Sequence, residues 1–420
     1  MRARRQVHGR ALLAALVLIV GSPPGGPAAQ EGFIARVAEV PETCRDLELD
    51  RRAYELVREP AALETYLTLM AAGGWRQADG SWRSPGPVQV HLLERTAALF
   101  PPTTVVPVVR NGLVSRPEAP WRRIALDLLG RHASSIYLAL LAEVATDPRS
   151  GRPWPELVEP FAEALTEVLR REGVRPHELS WLVEAAEPLT GAVVRAVGRA
   201  GDPAGLTWLA ARLEDPTLVS AAVQEIGRLA SAGRGDRPAF VADAVHPLLQ
   251  SGDEPLQRAA IRALGALGQP SSIARLVALL EHAPSTGEQR MIVAALQSIS
   301  GVPLPADPAG WRQWYERERR WRDEEGAAAV ARLDLEDPAA IVAAVQELAG
   351  HPLFRDQLAP PLVVLLRRHE SLSVRAQVCL ALGRLRTDEG LAALEEALED
   401  DAPEVRGTAA RALERLRTGP

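Results

Sequence analysis

Three tryptophans at helical spacing are the most prominent groups in the chain that could contact another molecule. Trp311, Trp314 and Trp321 stand in the run Asp307-Pro-Ala-Gly-Trp-Arg-Gln-Trp-Tyr-Glu-Arg-Glu-Arg-Arg-Trp321. Trp311 and Trp314 are three residues apart and share a helix face, and Trp321 lies seven beyond Trp314, two turns along the same stripe. Aromatic side chains set among Arg are the usual composition of a binding hot spot. The three are therefore candidate protein-binding residues. The same stripe also reads as the core of an irregular repeat, because a helical aromatic stripe is usually buried.

Other chemistry is sparse. The eight His are His8, His91, His132, His177, His246, His282, His351 and His369, and none forms a close pair at metal-ligand spacing. No Gly-x-Ser-x-Gly elbow is present. Ser-rich spots such as Ala133-Ser-Ser135 and Pro270-Ser-Ser-Ile273 sit at expected loops and helix starts, where Ser acts as a cap. All 48 basic residues are Arg, which rules out a Schiff-base lysine, a phosphate-loop lysine or a lysine base. Adjacent acids such as Glu395-Glu396 and Glu399-Asp400-Asp401 read as a solvated charge run. These observations predict a non-catalytic protein with no cofactor and no metal. The alternative is an enzyme with a site around Asp79, His91 and Glu94.

The elements that carry these residues follow from internal repetition. Val374-Arg-Ala-Gln-Val-Cys-Leu-Ala-Leu-Gly-Arg-Leu385 aligns with Val405-Arg-Gly-Thr-Ala-Ala-Arg-Ala-Leu-Glu-Arg-Leu416 at an offset of 31 residues. The template is an apolar residue, Ala-Leu at seven and eight positions on, Gly at nine and an apolar residue at eleven. It recurs from Leu256, Leu218 and Leu189, and more loosely from Trp121; the unit ending Ala295-Leu296 and Ile299 has Gln297 where Gly is expected. Offsets of 4, 7, 8 and 11 lie on one helical face. Each template is therefore the first helix of a pair, and 206–213, 239–249, 273–280, 362–368 and 391–398 are the candidate second helices. Asp-Pro at 147, 202, 215, 307 and 337 marks helix starts, since Asp accepts from free backbone amides and Pro at the first helical position loses nothing. A mid-helix Gly costs about 1 kcal/mol relative to Ala. Gly198, Gly227, Gly265 and Gly383 are thus expected to admit a closely packed neighbour.

These units, with their Ala-Leu-Gly-x-Leu signature and Asp-Pro caps, resemble HEAT repeats, in particular the short bacterial kind called PBS-lyase HEAT-like repeats. The resemblance covers Leu189 to Leu416 and extends back to Trp121. It implies an all-α fold, an α-solenoid superhelix of stacked antiparallel helix pairs. Relatives of this kind include scaffolds, adaptors and lyase subunits that handle bilins; no lyase site residues are identifiable here. In such arrays the second helices line a long concave surface, which makes Arg212, Arg275, Arg367, Arg368 and Glu396 expected surface groups.

The first thirty residues read as a signal peptide. Arg2, Arg4, Arg5 and Arg10 form a charged start, Ala11 to Val20 is an apolar run too short to span a bilayer, and cleavage is expected after Ala28 or Ala29. Their removal takes four Arg and no acid, leaving 44 Arg against 54 Asp plus Glu, a net charge of −10 that disfavours nucleic acid. Cys44 and Cys379 lie near opposite ends of the chain, so no disulfide framework is expected. The expected organisation is a signal peptide over 1–30, a partly irregular N-terminal cap over 31–120, HEAT-like repeats over 121–300, a Trp-containing irregular repeat over 301–336 and C-terminal repeats over 337–420. Within the cap, a helix is expected over 51–71 and a long loop through the Pro-rich segment 101–109. The reading is an exported periplasmic or extracellular scaffold that binds a protein, without a stable membrane span, as a monomer; a structural subunit of an envelope complex is the further alternative.

Overall fold

In this computed structural model the described residues are 27–59, 61–77, 79–116, 118–185, 187–232 and 237–418. The leader assigned above therefore lies outside them up to residue 26. Almost all the regular structure is helical, and the fold is an all-α solenoid. Two compact units divide after Ala200, inside the stretch expected to be one run of repeats.

The first unit contains α1 (Pro27–Ala38), α2 (Asp46–Leu56), α3 (Ala62–Ala72), a hairpin of β1 (Trp75–Arg76) and β2 (Trp82–Arg83), α4 (Pro87–Ala98), α5 (Pro102–Ser115), α6 (Ala119–His132), α7 (Leu138–Ala145), α8 (Val158–Glu172), α9 (Pro176–Ala185) and α10 (Thr190–Ala200). Helices α3, α6, α8 and α10 stack side by side, and α5, α7 and α9 form a second row behind them. Two expectations fail here. The helix expected over 51–71 is two helices, because the sequence puts Pro60, which has no amide to donate, in its middle, and Ala61 adopts positive φ. The Pro-rich segment is not a loop: Pro102 sits in the first turn of α5, and Val105 and Val109 face the core. The Trp-containing stretch after α3 pairs Trp75 with Arg83 and Arg76 with Trp82 in antiparallel register.

The second unit contains α11 (Ala204–Ala210), α12 (Val219–Ala232), α13 (Ala239–Val245), α14 (Glu254–Leu267), α15 (Ile273–Glu281), α16 (Thr286–Ser300), α17 (Pro308–Trp321), α18 (Ala327–Ala331), α19 (Pro338–Leu348), α20 (Arg355–Arg368), α21 (Leu372–Leu385), α22 (Asp388–Glu396) and α23 (Pro403–Thr418). First helices α12, α14 and α16 stack in one run and α19, α21 and α23 in another, with α13, α15, α17, α20 and α22 as second helices. A π-turn over Arg322–Gly326 joins α17 to α18.

A glycine notch holds consecutive first helices together. A Cβ on Gly265 would stand 3.0 Å from both Cα and Cβ of Ala295, and one on Gly383 would stand 3.0 Å from Cβ of Ala412. Gly130 meets Ala164 and Gly227 meets Ala263 in the same way. Gln297, which replaces the Gly in α16, has no first helix stacked beyond it; its amide instead donates to the Leu304 carbonyl at 3.0 Å. A second device was missed by the template: in the units that begin at Leu256, Val374 and Val405, the residue after the first apolar position is polar and turns back to carbonyls of the preceding connection. Gln257 donates to Leu249 O at 2.7 Å, Arg375 to His369 O and Glu370 O at 3.1 Å, and Arg406 to Asp400 O at 2.7 Å. Asp307 and Asp337 cap α17 and α19 through their carboxylates, as the Asp-Pro signal requires. Asp147 instead accepts from Arg149 N and Ser150 Oγ in a loop turn, so its Asp-Pro does not start a helix.

Candidate functional site

Of the two readings of the three tryptophans, an exposed anchor or the core of an irregular repeat, the core is where they lie. Trp311, Trp314 and Trp321 are 0 %, 9 % and 7 % exposed. Trp311 packs edge-on to Trp314 with ring centroids 5.7 Å apart, and its Nε1 donates to the Pro305 carbonyl at 2.8 Å. Trp321 stacks flat on His351 at 3.5 Å between centroids, and its Nε1 donates to Glu347 at 3.2 Å. His351 Nδ1 lies 3.2 Å from both oxygens of buried Glu318. Because α17 takes the place of a second helix, its aromatic face turns toward α15 and the interior, and no stripe is left for a partner.

Of Asp79, His91 and Glu94, the last two are neighbours on α4, with His91 Nδ1 3.9 Å from the Glu94 carboxylate, while Asp79 is engaged in the hairpin turn. The Asp79 carboxylate accepts from the amide and hydroxyl of Ser81, which hold its pKa below the usual carboxylate value. On α4, His91 Nε2 accepts from Arg95 at 3.1 Å, while Glu94 pairs with Arg131 of α6 at 2.9 Å. A different group has the composition of a hydrolytic triad: Ser272 Oγ lies 3.0 Å from His246 Nε2, and His246 Nδ1 lies 3.4 Å from Asp243. Access decides against chemistry there, since Ser272 is wholly buried at the start of α15, out of reach of any substrate. Burial foremost, and then Arg275, holds the His246 pKa below its ordinary value. Among the described residues no group of three or more His, Cys, Asp or Glu is placed to hold a metal ion. Cys44 and Cys379 are free, and burial pushes the Cys379 thiol up to about 12, which leaves it inert.

The expected second-helix groups are at the surface to different degrees. Arg367 of α20 pairs with Glu396 of α22 through two bonds of 3.0 and 2.9 Å. Arg275 and Arg368 are exposed, whereas Arg212 is half-buried over the Trp208 ring at 3.9 Å.

A cavity lies on the first-helix row of the first unit. It has a volume of about 860 Å³ and runs between α6 and α8, ending near Arg199 of α10. The Gly130–Ala164 contact lies within it. Its charged walls are solvent-exposed: Arg123, Asp127 and Arg131 on α6, and Glu163, Glu167, Arg170 and Arg171 on α8. Most of these charges are paired. Arg131 bonds Asp127 and Glu94, each at 2.9 Å, and Arg170 bonds Glu167 at 2.6 Å. Arg170 and Arg171 also reach in opposite directions, to the Arg199 carbonyl at 3.2 Å and the His132 carbonyl at 3.4 Å. They thereby satisfy C-terminal carbonyls of α10 and α6, with the positive charge that a helix C-terminus favours. The arrangement can recognise an extended polar ligand; it holds no nucleophile beside a base.

The repeat device and these layers meet an independent likeness: a family model described as HEAT repeats matches residues 220–297 and 327–414. Those two stretches are HEAT repeats. The interval between the two matched stretches holds α17 and the π-turn, where the regular pair is replaced. No curated protein matches the chain. Solved structures similar to it include yeast importin-β, 12 % identical over 92 % of this chain and 54 % of that one, with a TM-score of 0.40. An engineered protein is 17 % identical over 93 % of this chain and 100 % of its own, with a TM-score of 0.28. Human deoxyhypusine hydroxylase in complex with glycerol is 17 % identical over 63 % and 98 %, with a TM-score of 0.22.

Proposed function

We propose that the protein is an exported, non-catalytic scaffold that holds another protein on an exposed face of its helix stack. The observation that carries this reading is the open groove between α6 and α8, whose walls are lined by solvent-exposed charged side chains. A small-molecule site more often encloses its ligand in apolar walls. The tryptophan cluster, which was the rival surface, is consumed in packing.

Export is supported by the charged start, the ten-residue apolar run and the small residues through Ala29. The buried side chains of α1 begin at Phe33 and continue at Val37, so cleavage at Ala28 or Ala29 would leave its packed part intact. No helix among the described residues is long and apolar enough to cross a membrane. Crosslinking in intact cells, with identification of what is captured, tests the scaffold reading; repeated capture of the same protein supports it, and its absence at saturating crosslinker removes it. Mass spectrometry of the native protein tests export: the expected N-terminus is Ala29, Gln30 or Glu31, and a cytoplasmic chain still beginning at Met1 would defeat it.

A further inference from the structure

We infer that the groove between α6 and α8 takes an extended segment of a partner protein bearing two acidic side chains four residues apart. This rests on the protein-binding reading above and adds the partner's chemistry and register. Arg123 is exposed and makes no hydrogen bond or ion pair among the described residues. At the other end, Arg171 is bonded to a neutral carbonyl, that of His132, and to no carboxylate among the described residues. The other arginines of the groove already hold acids: Arg131 has Asp127 and Glu94, Arg170 has Glu167, and Arg199 has Glu159. One unneutralised guanidinium therefore remains at each end.

The backbone separation of the two ends favours an extended occupant. Arg123 and His132, whose carbonyl fixes the Arg171 guanidinium, are nine positions apart on α6, about 14 Å of axis at ~1.5 Å per residue. An extended chain advances ~3.3 Å per residue and turns alternate side chains to one side, so acids at i and i+4 stand about 13 Å apart on the same face. A helical segment with the same spacing would set them only about 6 Å apart and would leave one arginine unmet. Glu163, exposed and without a partner among the described residues, stands on the α8 wall and repels a third acid placed between the two. Charge-assisted guanidinium–carboxylate bonds are also the stronger and more directional ones, which favours an acidic side chain over a neutral one at both ends.

The test is fluorescence anisotropy of the full chain with a labelled peptide of Ser and Gly that carries Glu at every fourth residue. We expect saturable binding that weakens as salt is raised, and a loss of affinity of about tenfold or more for Arg123→Glu and for Arg171→Glu. Arg368→Glu, on α20 of the other unit, should leave binding unchanged. A peptide of the same composition with its Glu residues adjacent should bind less tightly. Equal binding of a Lys-for-Glu peptide, tighter binding of a single-stranded oligonucleotide, no binding, or undiminished binding by the folded double variant would each overturn the inference. Arg123→Gln and Arg171→Gln, which keep a polar side chain, serve if charge reversal disturbs folding. Capture of the same cellular protein by the double variant would remove the groove and leave the scaffold reading standing. Peptide binding by a chain that captures nothing in cells would do the reverse.

Discussion

Gly265 shows how one residue sets the distance between neighbouring helices. Its missing side chain lets α14 rest on Ala295 of α16, and a larger residue has nowhere to go, because the atoms it would meet are the Cα and Cβ of a helix. Gly265→Leu should therefore destabilise the protein by about 1–3 kcal/mol in a denaturant titration. Gly252, which has open space around its Cβ direction, should accept Ala with a change within about 0.5 kcal/mol. Equal effects of the two would mean that close approach is not what the template glycine provides. His246 gives a second prediction at this scale. Its ring is buried, and burial and Arg275 lower its pKa while Asp243 opposes them. The unfolded chain thus binds the proton more readily than the folded one. The stabilising contribution is complete above the ordinary histidine value of about 6.5 and is lost as pH falls below it. The thermal midpoint should drop between neutral and mildly acidic pH, and less steeply for His246→Phe. Parallel profiles for the two proteins would show that this ring is not the group responsible.

At the scale of elements, the stack of first helices is interrupted after α16, and an arginine of α20 reaches the C-terminal carbonyls of that helix. Arg355, in the first turn of α20, donates to the carbonyls of Ser298 and Ile299, and burial lowers its pKa. Arg355→Met keeps much of the side chain's bulk and removes the donors, leaving C-terminal carbonyls of α16 unsatisfied. A loss of about 1–3 kcal/mol in unfolding free energy is expected, and wild-type stability would show that solvent satisfies those carbonyls instead. The repeats were legible because their period, their Ala-Leu-Gly signature and their Asp-Pro caps are local in sequence. The Gly-to-Ala notch was legible on one side only: Gly265 stands out in a helix, while Ala295 is one Ala among many. The returning polar side chain after the first apolar position, Arg375, Arg406 and Gln257, was visible as a recurring Arg or Gln but lacked a destination until the fold supplied one. The groove was not legible at all. Its Arg123 and Arg171 are 48 residues apart in a chain with many arginines, and only the stacking of α6 on α8 makes them two ends of one surface. The tryptophan stripe was legible as a stripe. Its burial was one of two readings, and the helices it packs against were not legible, because they depend on α17 replacing a second helix.

For the whole molecule, the question is whether stacked helices continue from one chain into another. In α23, Val405, Ala409 and Leu413 are buried, and Ala412 sits against Gly383 of α21, so its apolar stripe is already used within the chain. The stripe packs chiefly on the first helix α21, the relation that the glycine notch sets in the other units. On the opposite side, Arg411, Glu414 and Arg415 are exposed, and Arg406 is held by the carbonyls of Asp400 and Asp401. Further stacking on this face would have to bury those charges, and desolvating guanidinium groups is unfavourable. The chain's formal net charge of −6 adds repulsion between copies. We therefore expect a monomer by light scattering across a wide concentration range, at low and at moderate salt. A stable dimer that is abolished by Arg411→Glu together with Arg415→Glu, in a chain that remains folded, would show that α23 is an interface and that its charges pair across it.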